Sequence, residues 1–303
     1  MQAAPASHPP IGQGRAWLLA IRPATLPAAV GPVLVGTGVA LRTGSPAPLA
    51  AAAALTVALL LQIAANLSND LFDFRRGADT ADRLGPPRAG ALGLLSERAL
   101  LAGTALTLAL AAVAGLFLAL QVGPLILGLG VLAIAAALAY TAGPWPYGYH
   151  GLGELFAFTF FGPVAVVGTC VVETRALAPL AFGASVPVGL LVTAILVVNN
   201  LRDLDGDRRA GKRTLAVRFG GQAARAEYAA CLTGAYVAVA LLAPGEGIAL
   251  LLPLASLPLV IPLLRAVLAE GDPRRLNPVL RETARLQLVF ALLLTLGLIA
   301  GSS

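Results

Sequence analysis

Charge is scarce in this 303-residue chain: Asp, Glu, Lys and Arg together make up 12%, roughly half the share of an ordinary soluble domain. That scarcity excludes a disordered chain and a lone water-soluble domain, both of which need more polar surface. Lys212 is the only lysine among the 21 basic residues. The two cysteines, Cys170 and Cys231, lie in separate apolar stretches. They offer neither a disulfide framework nor a metal-ligand spacing. Histidine is limited to His8 and His150, and no hydrolytic triad can be assembled around either. No polar stretch is long enough for an extramembrane domain; the longest are 75–97, 202–222 and 269–285. The first 16 residues have no apolar core, so residues 1–15 are expected to be a flexible tail and not a cleavable signal.

What is present is apolar. Hydrophobic residues make up 58% of the chain, and the mean hydropathy is +0.83. The 33 glycines and 22 prolines are tolerated in packed transmembrane helices. The sequence therefore predicts an all-α polytopic membrane protein, with residues 16–303 forming one domain. Nine spans are expected, near 16–41, 47–74, 98–119, 122–141, 152–173, 177–203, 223–243, 247–268 and 279–301, most of them exceeding the ~20 residues that cross a bilayer. The formal charge of +6 comes from arginines in short loops, which reads as membrane orientation and not as nucleic-acid binding. With the N-terminus in the cytoplasm, 18 basic residues fall on the inside and only Arg42 and Arg175 on the outside. The positive-inside rule favours that orientation, and it puts the polar loops at 75–97 and 202–222 on one face.

Two acidic clusters lie where apolar helices are expected to reach that face. In the first, Asn66, Asp70 and Asp73 are spaced i, i+4, i+7, with Asn69 beside them. In the second, Asn199, Asp203 and Asp207 are spaced i, i+4, i+8. Both spacings put the side chains on one helix face. Each cluster leads into a basic stretch, and the likeness between the two suggests an internal duplication. One reading pairs these acids with Arg75, Arg76, Arg208 and Arg209 in the headgroup region. The other lets the clusters share a cation. Mg²⁺, a hard ion that takes one or two carboxylates plus phosphate oxygens, suits such a site, and arginines would neutralise the rest of a diphosphate. Ionisable groups at membrane depth are costly and generally functional, which favours the second reading.

The segments NLSNDLFDFRRGADTADRLGPPR (66–88) and NNLRDLDGDRRAGKRTLAVRFG (199–220) closely resemble the two signature regions of the UbiA superfamily of intramembrane prenyltransferases. WLLAIRPATLPAAVGP (17–32) and the stretch 143–161, with Glu154 in Gly151–Glu154, support the likeness. Gly77 stands where the benzoate-type branch has a third Asp, and an Asp follows at 79. With the DRLGPPR run, this is similar to the branch that prenylates 1,4-dihydroxy-2-naphthoate.

The resemblance implies a bacterial cytoplasmic-membrane enzyme with its active site facing the cytoplasm. Its substrates would be a polyprenyl diphosphate and an aromatic acid. Asp70, Asp73, Asp203 and Asp207 would hold Mg²⁺, with the amides of Asn66, Asn69 and Asn199 completing the clusters. Arg83, Arg88, Arg202 and Lys212 would contact phosphate. Asp79 and Asp205 would balance neighbouring arginines or join the clusters. Arg22 would meet the acceptor carboxylate, unless it snorkels to headgroups. Glu154 would pair with an arginine or assist the acceptor hydroxyl. Tyr140 and Tyr147 would shape the cation pocket, or merely anchor the interface. Other aromatic acceptors, of the 4-hydroxybenzoate or homogentisate type, stay open at this point. So does a secondary transporter, where repeated halves and broken helices also occur. A CDP-alcohol phosphotransferase is disfavoured because its DGxxAR run is absent.

Overall fold

A computed structural model describes residues 12–44, 46–77, 83–269 and 271–301. All regular structure among them is helical. The helices are α1 (Gln13–Ile21), α2 (Pro27–Thr43), α3 (Pro48–Arg75), α4 (Glu97–Val122), α5 (Pro124–Ala139), α6 (Gly153–Thr159), α7 (Ala165–Thr174), α8 (Pro179–Arg202), α9 (Leu204–Arg209), α10 (Leu215–Glu246), α11 (Leu257–Leu268) and α12 (Leu276–Ala300). Short 3₁₀ turns and one π turn, Phe160–Val164, join several of them. The ends follow local rules. Proline opens α2, α3, α5 and α8, where its missing N–H costs nothing. Ser96 and Thr214 cap α4 and α10 through their hydroxyls, each satisfying one free amide.

Seven helical segments are long and apolar enough to cross a bilayer, and an eighth arises if the bent pair α1/α2 counts as one span. The stretch 16–41 is therefore not the single helix its hydropathy predicts. Pro23 and Pro27 break it, and the two halves meet at 49°. The stretch 122–141 also comes out shorter than expected, as the 16-residue α5. Residues 152–173 form α6 and α7 around the π turn at Pro163, a usual site for such a bulge.

Helix α8 lies at the centre of the bundle, most of its apolar length buried. It packs on α10, α12 and the α6–α7 segment. Close approach there depends on small residues: a Cβ on Gly162 would lie 3.0 Å from the Ser185 carbonyl oxygen, as expected where transmembrane helices pack tightly. By contrast α4 and α5 present large exposed apolar side chains, among them Val113, Leu120, Leu125 and Val131. In a soluble protein such a surface would be a liability; here it suits lipid.

Candidate active site

The last two turns of α3 carry the first cluster, and their side chains part company. A helix advances by 3.6 residues per turn, so Asn69 and Asp70 diverge by about 100°. Asn69 and Asp73, one turn apart, both line the large internal cavity. Asn69 accepts the Thr141 hydroxyl at 2.9 Å. Asp73 accepts the Tyr149 hydroxyl at 2.8 Å and lies 3.4 Å from both Arg88 and Lys212. Asp70, about 60° round the helix from Asp73, does not line the cavity. It is fully buried, and its two oxygens accept the backbone N–H groups of Ala89 and Gly90, each at 3.1 Å. In this structure Asp70 thus does not line the cavity with Asp73 but anchors the loop after α3. Asn66 also has a structural task. Its amide donates to the Ile21 carbonyl at 2.8 Å and to Thr25 at 2.9 Å, pinning the break between α1 and α2.

The second cluster is built on a broken helix. Helix α8 stops at Asp203, whose φ of −91° and ψ of 7° leave the helical range, and α9 restarts at once. Arg202 donates to the Asp203 carboxylate at 2.6 and 2.8 Å, to Asn199 at 2.8 Å and to Asn277 at 3.2 Å. These bonds give it a scaffold role beyond the phosphate contact expected from sequence. Arg83 stands 3.8 Å from Asp203. Asp207 is buried and lies 3.5 Å from Lys212. Burial pushes the Asp207 carboxyl up to about 6; the neighbouring Asp203 and Asp73 charges add to this, and Lys212 opposes it. Asp205 is exposed and, among the described residues, pairs with Arg208.

The two clusters meet at Lys212. Its ammonium lies within 3.5 Å of both Asp73 and Asp207. Gly211, at φ 74°, turns the chain so that Lys212 can reach back; a residue with a side chain would be strained there. The loop from Arg83 to Arg88 closes the same mouth. Asn277 of α12 holds the Leu84 carbonyl at 2.8 Å. A Cβ on Gly85 would sit 2.7 Å from the Arg202 guanidinium, which would have to shift to admit it. Asp79 and Asp82 fall outside the described residues.

From this cation-ringed mouth a cavity of about 430 Å³ runs into the bundle. One side is apolar, with Val57, Leu61, Leu118, Ile126, Leu129 and Ala133. The other carries a file of rings: Tyr140 is edge-on to Tyr147 at 5.4 Å, Tyr147 stacks on Phe156 at 4.0 Å, and Phe160 follows at 5.9 Å. Arg22 lines the cavity from the α1/α2 break. It has φ 55°, an uncommon backbone for a non-glycine residue. Glu154 is buried and pairs not with an arginine but with the Asn200 amide, at 2.7 Å. His150 stacks on Trp145 outside the cavity wall.

Tyr149 and Asn200 are site residues that the motif reading missed. The Tyr149 hydroxyl holds Asp73, and its ring lies 5.0 Å from the Arg76 guanidinium and 4.7 Å from the Lys212 ammonium. Burial, and then the Asp73 charge, push its phenol well above the usual range. Nothing in helical spacing flags it, because it sits on a 3₁₀ turn far along the chain from either cluster.

The donor set suits a magnesium ion shared with a ligand. Among the described residues no three acidic, His or Cys side chains close a cage by themselves. What they provide is carboxylate and amide oxygens facing an open cavity, and a site where one ammonium already bridges two carboxylates. Mg²⁺ is commonly held in this way, by a few protein oxygens with the remaining positions left to water and phosphate.

An apolar bundle whose cavity joins a hydrophobic tunnel to a mouth of carboxylates and guanidinium groups defines an integral-membrane enzyme for an amphiphile with an anionic head. Residues 29–289 match the UbiA prenyltransferase family, and the chain belongs to that family. It is 41% identical to the 1,4-dihydroxy-2-naphthoate octaprenyltransferase of Escherichia coli K12, over 95% of this chain and 96% of that one. It is 40% identical to the protein of the same name from Mycobacterium tuberculosis H37Rv, over 91% and 94%. In fold it is similar to a UbiA homologue from Aeropyrum pernix K1, with TM-score 0.67 at 18% identity over 90% and 97%. The Archaeoglobus fulgidus homologue, solved bound to GPP and Mg²⁺, gives TM-score 0.65 at 17% identity over 94% and 99%.

Proposed function

We propose that this enzyme transfers a polyprenyl group from polyprenyl diphosphate to 1,4-dihydroxy-2-naphthoate, with loss of diphosphate and CO₂, on the way to demethylmenaquinone in menaquinone synthesis. Similarity over nearly the whole chain to enzymes named for that acceptor supports the choice of substrate. The observation that carries the chemistry is the convergence of Asp73 and Asp207 on Lys212 at the mouth of an apolar cavity.

Asp73, Asp203 and Asp207, with Asn69 and Asn199, would hold Mg²⁺. When bound, the ion offsets charge on the diphosphate and improves it as a leaving group. Arg83, Arg88 and Lys212 stabilise the charge that grows on the bridging oxygen as the allylic C–O bond breaks. The apolar side accommodates the isoprenoid tail and keeps water from the cation. Tyr140, Tyr147 and Phe156 present ring faces and edges to the same space, where an aromatic face attracts positive charge. Arg22 meets the acid carboxylate. A ring carbon of the acceptor attacks the allylic carbon, the carboxylate leaves as CO₂, and later oxidation of the resulting diol gives the quinone. Counting α1/α2 as one crossing and α5 as another yields nine crossings. The arginine excess around 75–97 and 202–222 supports a bacterial cytoplasmic membrane with the N-terminus and the site on the inside.

Membranes containing the protein are given labelled prenyl diphosphate, Mg²⁺ and each aromatic acid in turn, and the products are read by mass spectrometry. A prenylated, decarboxylated naphthalenediol, lost on chelation of the metal, is expected. Product from 4-hydroxybenzoate or homogentisate but not from the naphthoate would overturn the choice of acceptor. Arg22→Ala should raise KM for the acid about tenfold while leaving KM for the diphosphate within about twofold, as loss of one charged hydrogen bond predicts.

A further inference from the structure

Glu154 and Asn200 form a buried pair that the phosphate chemistry leaves unused. Both are about 95% buried, and the Asn200 amide donates to one Glu154 oxygen at 2.7 Å. The other Glu154 oxygen is buried and has no hydrogen-bond partner among the described residues. A half-satisfied carboxyl inside a membrane bundle is expensive, so tying α6 to α8 is a poor explanation for it. The pair does settle one thing: an asparagine amide can face either way, and a carboxyl at its nitrogen fixes the carbonyl oxygen on the opposite side.

That oxygen is available. Asn200 lines the cavity, and its Oδ1 accepts no hydrogen bond from the described residues. It lies three residues before Asp203 on α8, where the apolar lining of Val192, Ile195 and Leu196 gives way to the carboxylate mouth. Tyr140 borders the same spot: a Cβ on Gly153 would lie 3.5 Å from its ring and 4.0 Å from its hydroxyl. The wall at this level is largely apolar, with the Asn200 oxygen and the Tyr140 hydroxyl as its polar points. A planar aromatic ring carrying a hydroxyl fits that description, whereas a diphosphate, which offers only acceptors, would be repelled by Oδ1.

We infer that Asn200 Oδ1 accepts a hydrogen bond from a ring hydroxyl of the aromatic acceptor, and that Glu154 is the positioning residue that holds the amide in that orientation. This rests on the functional reading above. The test uses the full-length protein in membranes, with 1-hydroxy-2-naphthoate and 4-hydroxy-2-naphthoate as competitive probes against the dihydroxy acid. In the wild type the probe lacking the hydroxyl that Asn200 reads should bind about tenfold more weakly than the other, as expected when a site's polar group is left unpaired. Asn200→Ala, and the near-isosteric Asn200→Leu if the first is poorly folded, should bring the two inhibition constants together. Both should raise KM for the dihydroxy acid while leaving KM for the prenyl diphosphate within about twofold. Glu154→Leu should do the same through the amide, and Glu154→Gln, which can still accept the Asn200 N–H, should recover most of the loss. A pair that only braces the helices would lower stability without narrowing the gap between the probes. If the wild type turns over the dihydroxy acid but the Asn200 variants keep the gap, this inference falls and the functional reading stands. If the wild type does not use that acid, the functional reading falls and takes the inference with it.

Discussion

The two acidic clusters read almost alike in sequence, yet α3 and α8 present them differently. Helix α3 runs unbroken through its cluster to Arg75. Its two acids lie about 60° apart round the helix, and only one of them, Asp73, lines the cavity. Helix α8 breaks at Asp203, and the short α9 swings Asp207 back so that both acids line the cavity. The continuous helix gives one carboxylate to the site and one to its own loop, while the broken helix gives two to the site. Two motifs of similar sequence therefore need not share one geometry. What decides the role of each acid is whether the helix continues beneath it.

This contrast can be broken from either side. The largest effect is expected at Asp73, the acid of α3 that reaches the cavity. Asp73→Ala should lower turnover on the order of 10³-fold, the upper range for loss of one preorganised charge contact, with helicity and detergent stability kept. Near-normal turnover would remove the meeting of the two clusters as the basis of the site. Next is Lys212, which bridges them. Lys212→Gln should cost about 10²-fold in kcat and raise KM for the prenyl diphosphate more than for the acid; an effect confined to the acid would refute the bridge.

Asp70 gives the sharpest contrast with Asp73. Asp70→Ala frees two buried amides and should cost about 3 kcal/mol of stability, read as a lower midpoint of thermal unfolding and faster proteolysis after residue 77. The protein that stays folded should keep its metal dependence. A variant as stable as the wild type but inactive would restore Asp70 to the metal site. The smallest effect is expected at Tyr149. Removing one hydrogen bond to Asp73 by Tyr149→Phe should cost about 1 kcal/mol, a several-fold drop in kcat, with the Mg²⁺ concentration for half-maximal rate shifted upward. No shift would show that Asp73 is held without Tyr149.

The structure also shows where sequence reasoning stopped. The break in the first span could be read from Pro23 and Pro27, yet hydropathy alone smoothed over it. The resemblance made Arg202 a phosphate contact; its bonds to Asp203, Asn199 and Asn277 were not legible from it. Asn277 lies 75 residues further on, and no spacing rule reaches that far. Gly85 carried a legible hint: a glycine in a basic loop signals close approach, although what it approaches, Arg202, was not legible.

Composition and order alone determined that this chain is a helical membrane bundle, that its acids lie at two helix ends in basic surroundings, and that it resembles the UbiA superfamily. Hydropathy and i, i+4 spacing are local properties, and local properties are written in the sequence. Which carboxylate turns toward the cavity, which arginine is spent on scaffolding, and the pairing of Glu154 with Asn200 were decided only by tertiary structure. Each of these depends on where a distant helix places its side chains, and about 60° round one helix separates the carboxylate that lines the cavity from the one that holds the loop.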